Sequence, residues 1–210
     1  MIWIIRPSGS RKMLTPEKLL SALPAEALKA ASERDLAKGT LLFAQGARPK
    51  AMHCVLYGEI RLVRTSSAGA DIILQRSRGG FIAEASLDQA SYHCNAVAIE
   101  RSRVVAIPRD AFQRALATAH FRDAWIGYVS AELRRARAQS ERLMLRTARE
   151  RISHFIETEG RNDAVKLDYT KKAWAAELGL THEALYRALA SMIAAGELFE
   201  PRPGLLSLVK

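Results

Sequence analysis

Between Gly39 and Ile107 the chain is punctuated too often to sustain a helix. Glycine, serine and proline cut it into short runs of Val, Ile, Leu and Tyr, the clearest at 40–43, 52–56, 60–64, 71–75 and 103–107. Many short strands at close spacing can bury their apolar faces only by closing into a sandwich or barrel. Helical patterns flank this block. Residues 16–32 repeat apolar positions through Leu19, Leu23 and Leu28, and 108–119 opens on Pro108, where a missing N–H costs nothing at a helix start. A strand-rich block followed by helices makes this an α+β chain.

Residues 121–146 then form a long helical stretch without proline and with only Gly127 as a weak interior residue. Within it Ile126, Val129, Leu133, Ala136, Ser140, Leu143 and Thr147 fall at alternating spacings of three and four. That is a heptad seam, suited to two parallel copies of one helix. The same stripe would also suit packing on the chain's own β block; its regularity favours a homodimer.

Beyond the seam, 149–158 reads as a helix, 165–167 as a short strand and 170–178 as a second helix with Thr170 at its N-cap. Gly179 makes a turn, Thr181 caps a third helix running to about Ala194, and Gly196 ends it. The tail, 198–209, has the pattern of a two-stranded wing. Two helices joined through Leu178-Gly179-Leu180-Thr181, with Ala175 and Leu178 apolar on the first and Leu185, Leu189, Met192 and Ile193 on the second, have helix-turn-helix grammar. With Leu185, Leu189 and Met192 turned inward, His182, Glu183, Tyr186 and Arg187 point away, and these are the expected readers of base edges. An arginine can fork onto guanine O6 and N7, and a glutamate can accept from the cytosine amino group, each good pair discriminating by about 1–3 kcal/mol. The plainer alternative is an exposed i,i+4 ion pair that only solubilises the helix. Thr170, Lys171, Lys172 and Thr181 stand at two helix starts, where hydroxyls, amines and free N–H groups can hold phosphate oxygens.

Charge agrees with a polyanionic partner but does not locate it. The 210 residues carry a formal +10, yet 1–121 hold 17 basic and 10 acidic side chains, 122–145 hold 5 and 3, and 146–210 hold 10 and 9. The segment with helix-turn-helix grammar is nearly neutral, so its interaction with DNA depends on where individual charges sit. The apolar opening, Met1 to Ile5, is too short for a signal peptide or a membrane span, and a cytoplasmic location is expected. Cys54 and Cys94 are too few for a disulfide scaffold and are expected in the core.

Four segments together resemble the bacterial Crp/Fnr family of transcription regulators, from about Lys38 to the end. Gly39-Thr40-Leu41-Leu42-Phe43-Ala44-Gln45-Gly46 resembles the family's first barrel strands, and Val55-Leu56-Tyr57-Gly58-Glu59-Ile60-Arg61-Leu62 its glycine turn. Gly80-Phe81-Ile82-Ala83-Glu84 is similar to the cassette that cradles a cyclic nucleotide, and Gly179-Leu180-Thr181-His182-Glu183-Ala184-Leu185-Tyr186-Arg187 resembles the recognition helix. The resemblance implies a β-roll effector domain over 1–120, a dimerisation helix and hinge over 121–146, and a winged helix-turn-helix over 147–210. It further implies a homodimer on palindromic double-stranded DNA and RNA polymerase as a partner. Catalysis is not expected on the residues themselves: the sequence has no nucleotide-binding glycine motif, no His-x-x-x-His pair and no Ser, His and acid arrangement, and Glu84 has no evident acidic partner. The effector pocket is then expected at Ala83, Glu84, Ala85, Ser86, His93, Cys94 and Asn95.

Two departures matter. Where cyclic-nucleotide members of the family hold the phosphate with an Arg-Ser pair, this chain has Cys94 and Asn95, and Ala83 replaces the glycine before the cassette glutamate. A buried phosphate without its arginine lacks a charge-assisted bidentate partner, so gating by cAMP is not expected and the effector is left unassigned. His182 also stands where the family pattern has an arginine, so the outer base of a half-site differs. The repeated pairs His53-Cys54 and His93-Cys94 raise a haem-, metal- or thiol-based sensor as the alternative, against core cysteines with surface histidines. An effector-binding module without DNA binding is the other alternative.

Overall fold

The computed structural model describes residues 16–66, 69, 71–167 and 169–209, so the apolar opening Met1 to Ile5 lies outside the described residues. Two short helices come first, α1 (Pro16–Ser21) and α2 (Ala25–Ala30). The single helix expected over 16–32 is divided, because Pro24 occupies the α2 N-cap with an extended ψ of 146° and disfavours helix before it. Ser32 then begins a strand, β1 (Ser32–Leu36), which the sequence reading missed. Ser-Glu-Arg-Asp-Leu buries only Leu36, as befits a sheet edge where charged side chains face water.

The strands that follow are β2 (Leu41–Phe43), β3 (Ala51–Tyr57), β4 (Ile60–Thr65), β5 (Asp71–Ser77), β6 (Gly80–Ile82), β7 (Asn95–Ala98) and β8 (Ser102–Pro108), with a 3-10 turn at Glu84–Ser86. β6 and β7, three and four residues long, lie between the clearest apolar runs of the sequence. They form two antiparallel sheets, ordered β1-β8-β3-β6 and β2-β7-β4-β5. At the turn from β3 to β4, Gly58 has φ +85°, and a Cβ there would lie 2.2 Å from Ser102 Oγ and 2.6 Å from the Arg101 carbonyl oxygen. No side chain fits that approach.

Two cores account for the near-continuous apolar run in β3. Val55 joins Leu36, Phe43, Ile60, Leu62, Ile82, Cys94, Ala96, Ala98 and Val104, drawn from both sheets. Met52 and Cys54 face the other way, into a core shared with Phe81, Val105, Ile107 and the helical residues Leu19, Phe112, Phe121, Trp125 and Tyr128. A strand buried on both faces loses its polar alternation.

Helix α3 (Arg109–Ala117) starts after Pro108, and α4 (Ala119–Met144) is a single 26-residue helix. Thr147 does not belong to α4. It is the N-cap of α5 (Ala148–Glu159), accepting from the Glu150 N–H while the Glu150 side chain accepts from the Thr147 N–H, so the seam expected to reach Thr147 ends at Leu143. The remaining elements are β9 (Ala164–Lys166), α6 (Lys171–Glu177), α7 (His182–Ala194), β10 (Leu198–Arg202) and β11 (Leu205–Leu208). The last strands pair antiparallel in the order β10-β11-β9. Ile152, Phe155, Ile156, Trp174, Ala175, Leu178, Leu185, Leu189, Met192 and Leu206 make their core. Ile193, expected on the apolar face of α7, is 44% exposed. The chain divides into two compact units at the Val129/Ser130 step, within α4.

Candidate DNA-binding and effector sites

In the unit that follows Ser130, α6 and α7 form a tight helix-turn-helix. Thr170 and Thr181 are both N-caps, their hydroxyl oxygens accepting from the Ala173 and Ala184 N–H groups at 3.2 Å each. Each cap satisfies one of the orphan donors at a helix start. Gly179 supplies the left-handed residue of the turn, φ +64°, and the Leu180 N–H returns to the Ala175 carbonyl at 2.9 Å. Trp174, fully buried, meets Phe155 edge-on at 5.4 Å. With Leu185, Leu189 and Met192 in the core, the same helix leaves His182, Glu183, Tyr186 and Arg187 exposed.

The exposed face is preorganised in part. His182 and Tyr186 pack edge to face with centroids 4.5 Å apart. The Glu183 carboxyl is held below its ordinary range by its own backbone N–H and then by the Thr181 hydroxyl, with the charges of His182 and Arg187 assisting. Among the described residues, Glu183 and Arg187 form no ion pair within 4.0 Å, and Arg187 makes no hydrogen bond. The guanidinium is therefore not used up in the i,i+4 pair that the sequence also allowed. Lys171 is already engaged: its Nζ lies 2.8 Å from Glu200 Oε2 and 5.8 Å from the Tyr186 ring centroid. Glu200 also accepts from the Gly204 N–H at 2.9 Å, so Lys171 ties α6 to the wing, while Lys172 is exposed.

The unit ending at Val129 holds a cavity of about 80 Å³ lined by Phe43, Leu62, Leu74, Gln75, Ala83, Glu84, Ala85, Ser86, His93 and Cys94. Six of the seven expected pocket residues line it. Asn95 does not: alternation along β7 buries Cys94 and Ala96 and turns Asn95 to the other face, where its Oδ1 accepts from the Gln45 N–H at 2.8 Å. Ala83, at the family's glycine position, has φ +77°, a conformation that disfavours a Cβ by roughly 1–2 kcal/mol. The cassette strand is pinned to α4 by Tyr128, whose hydroxyl accepts from the Phe81 N–H at 2.8 Å. Among the described residues no lysine or arginine lines the cavity. Arg64 donates from Nε to the His93 carbonyl at 3.2 Å.

The histidine–cysteine pairs do not converge. Cys54 and Cys94 are both buried, but in different cores. Burial pushes the Cys54 thiol up to about 12 and raises that of Cys94, which keeps both protonated and unreactive. His93 is exposed, with Nδ1 3.2 Å from Ser86 Oγ. His53 contradicts the expectation of surface histidines: it is buried, stacked on Phe43 at 5.7 Å, with Nδ1 lacking a hydrogen-bond partner. It sits in the middle of a strand whose residues Met52 to Val55 are all buried, so neither face of β3 offers water at that point. Among the described residues no three His, Cys, Asp or Glu side chains gather as a metal site, and no helix is long and apolar enough to cross a membrane.

Along α4, Ile126, Val129, Leu133 and Leu143 are 55%, 37%, 50% and 47% exposed, and Ala136 and Ser140 lie open between them. Sequence reading missed the residues that brace this region, Arg142 and Arg151 above all. Part of the N-terminal basic surplus gathers at an open groove where Arg48, Lys50 and Arg109 surround Asp110, itself paired with Arg114 at 2.9 Å.

Residues 33–119 match the profile of the cyclic nucleotide-binding domain family. Among curated proteins no sequence matches the chain. Solved structures resemble it over nearly its whole length. A candidate cAMP-binding regulatory protein from Silicibacter pomeroyi DSS-3 is 26% identical, with a TM-score of 0.57 and coverage of 91% of this chain and 90% of that one. FixK2 from Bradyrhizobium japonicum is 22% identical, with a TM-score of 0.61 over 86% of this chain and 93% of its own. The c-di-GMP-responsive global regulator CLP of Xanthomonas campestris is 18% identical, with a TM-score of 0.53 over 87% and 96%.

Proposed function

We propose that this chain, which carries a cyclic nucleotide-binding domain over residues 33–119 and has the fold of Crp/Fnr-family regulators over about nine-tenths of its length, is a sequence-specific transcription regulator. It acts as a homodimer on a palindromic DNA site and is a binding protein, not an enzyme. The observation that carries this reading is the exposed, uncommitted Arg187 one turn after Glu183, near the start of a capped α7 whose opposite face is fully used by the core. Arg187 and Glu183 read the inner bases of each half-site, with His182 and Tyr186 beside them. Lys172 and the α6 and α7 starts at Thr170 and Thr181 hold phosphates. Lys171 serves the wing first, because its ammonium is already paired.

A second copy covers the α4 stripe from Ile126 to Leu143, placing two recognition helices about 34 Å apart in successive major grooves. Residues 1–120 form the effector domain, 121–146 the dimer helix and hinge, and 147–210 the DNA-binding domain, with RNA polymerase as the downstream partner. cAMP is not the effector. Drug-sized ligands occupy cavities of about 300–1,000 Å³, whereas this one measures about 80 Å³ and offers no arginine to a phosphate. Sensing by thiol or metal is disfavoured by two protonated, buried cysteines in separate cores.

Selection of bound duplexes from a random pool tests the reading. An inverted repeat should be enriched, with half-site centres one helical turn apart, and retained as salt rises. Sequence-blind binding that vanishes with salt would reduce the protein to a basic surface and overturn the proposal.

A further inference from the structure

One guanidinium joins the helices that a DNA-binding dimer has to hold in register. Arg151, on α5, donates from Nε to the Leu145 carbonyl at 3.0 Å and from Nη2 to the Leu143 carbonyl at 3.3 Å, both at the end of α4. Its Nη1 donates to the Leu178 and Gly179 carbonyls at 3.1 and 3.0 Å, at the turn between α6 and α7. All four acceptors are carbonyls at or just beyond helix ends, which lack intrahelical donors and carry the negative end of the helix dipole. A planar fork satisfies two such ends together; a lysine ammonium cannot span them.

The turn is packed closely against this fork: a Cβ on Gly179 would fall 2.8 Å from Leu143 Cδ2 and 3.1 Å from Arg151 Nη1, so those two side chains would have to shift to admit one. The other joints of α5 are fixed too. Arg142, on α4 and fully buried, lies over the Phe155 ring at 4.7 Å and donates from Nη2 to Thr158 Oγ1 at 3.1 Å and Glu159 Oε1 at 3.4 Å. Arg149 pairs with Glu197, just past the end of α7, at 2.5 Å.

We infer that Arg151 is a positioning residue that fixes the recognition helix against the last turn of the dimer helix and thereby sets the spacing at which two half-sites are read. The inference rests on the DNA-binding dimer proposed above. Moving a half-site by one base pair shifts it about 3.4 Å along the duplex and about 34° around it, so a rigid bracket makes spacing part of the specificity.

Two readouts test it on the full-length dimer, comparing wild type with Arg151→Gln and Arg151→Lys. In the first, spin labels at Arg137→Cys and Ala190→Cys, exposed positions on α4 and α7, report the distance between the two helices when doubly labelled chains are diluted into excess unlabelled protein, so that each dimer carries one labelled chain. Wild type should give one narrow distance and both variants a broad one. In the second, duplexes carrying the wild-type-selected half-site at separations one and two base pairs either side of the optimum are titrated. Wild type should prefer the optimum by about tenfold or more, and Arg151→Gln by about threefold or less, with half-site base preference unchanged. An unchanged label distance, or an equal loss of affinity at every spacing, overturns the inference, since a generally weakened fold gives only the latter. If wild type selects no DNA sequence, it is the proposed function that fails, and the label distances still decide the bracket.

Discussion

Leu133→Glu should turn the dimer into a monomer and lower affinity for an inverted-repeat site by at least about 100-fold. Leu133 occupies the middle of the α4 stripe and is half exposed in the single chain. Full burial of a leucine is worth about 1.5–3 kcal/mol, and a symmetric seam loses the contribution twice while gaining two facing carboxylates. A loss of roughly 3 kcal/mol is about two powers of ten in dissociation constant. Site affinity follows, because one half-site then binds without the other held nearby. The substitution touches a surface residue, so the stability of the single chain should stay within about 0.5 kcal/mol. Analytical ultracentrifugation with gel shifts on whole and half sites measures both effects. A variant that stays dimeric at micromolar concentration would show that the stripe packs on something other than its own copy.

Acid should weaken the fold through His53, and His53→Phe should remove that weakness. Burial, followed by the charge of Arg34, lowers the His53 imidazole from 6.5 to about 4. Below pH 6.5 the unfolded chain takes up a proton that the folded chain refuses, so stability is full above that pH and falls as pH drops toward 4. A shift of this size corresponds to a loss of roughly 2 kcal/mol between pH 7 and pH 5 and about 3 kcal/mol by pH 4. Phenylalanine keeps the stack on Phe43 and removes the unpartnered Nδ1. Urea titrations of both proteins across this range should show the variant gaining on wild type as pH falls. Parallel curves would mean that His53 reaches a proton acceptor when charged.

The contrast between these two residues shows what kind of information lies in the linear chain. The α4 stripe was legible because helix geometry repeats every few residues, and so were Thr170, Thr181, Gly179 and Gly196, whose roles are local to a helix end. His53 was not legible: whether a β3 residue faces water depends on what covers each face of the sheet, and the face His53 shares with Val55 is covered by Phe43, from a strand of the other sheet. β1 was hidden by its charges, since an edge strand with one buried residue has no apolar pattern. Asn95 was placed in the pocket because a resemblance aligns positions, whereas strand register decides the face. Arg151 left no trace, because two of its acceptors lie 27 and 28 residues downstream.

The small cavity of the N-terminal unit is tied to α4 through its neighbouring strand: Ala83 follows β6 in a left-handed conformation, and the Phe81 N–H on β6 donates to the Tyr128 hydroxyl. Its lining mixes apolar side chains with Gln75, Glu84, Ser86 and His93 and includes no arginine.

If Arg187 meets a base edge, Arg187→Ala measured against every single-base variant of the selected half-site shows it most directly. Discrimination at one inner base pair should collapse by about 1–3 kcal/mol while preferences at the other positions persist. A uniform fall in affinity across all variants, with the preference profile intact, would make Arg187 a phosphate contact and contradict the assignment.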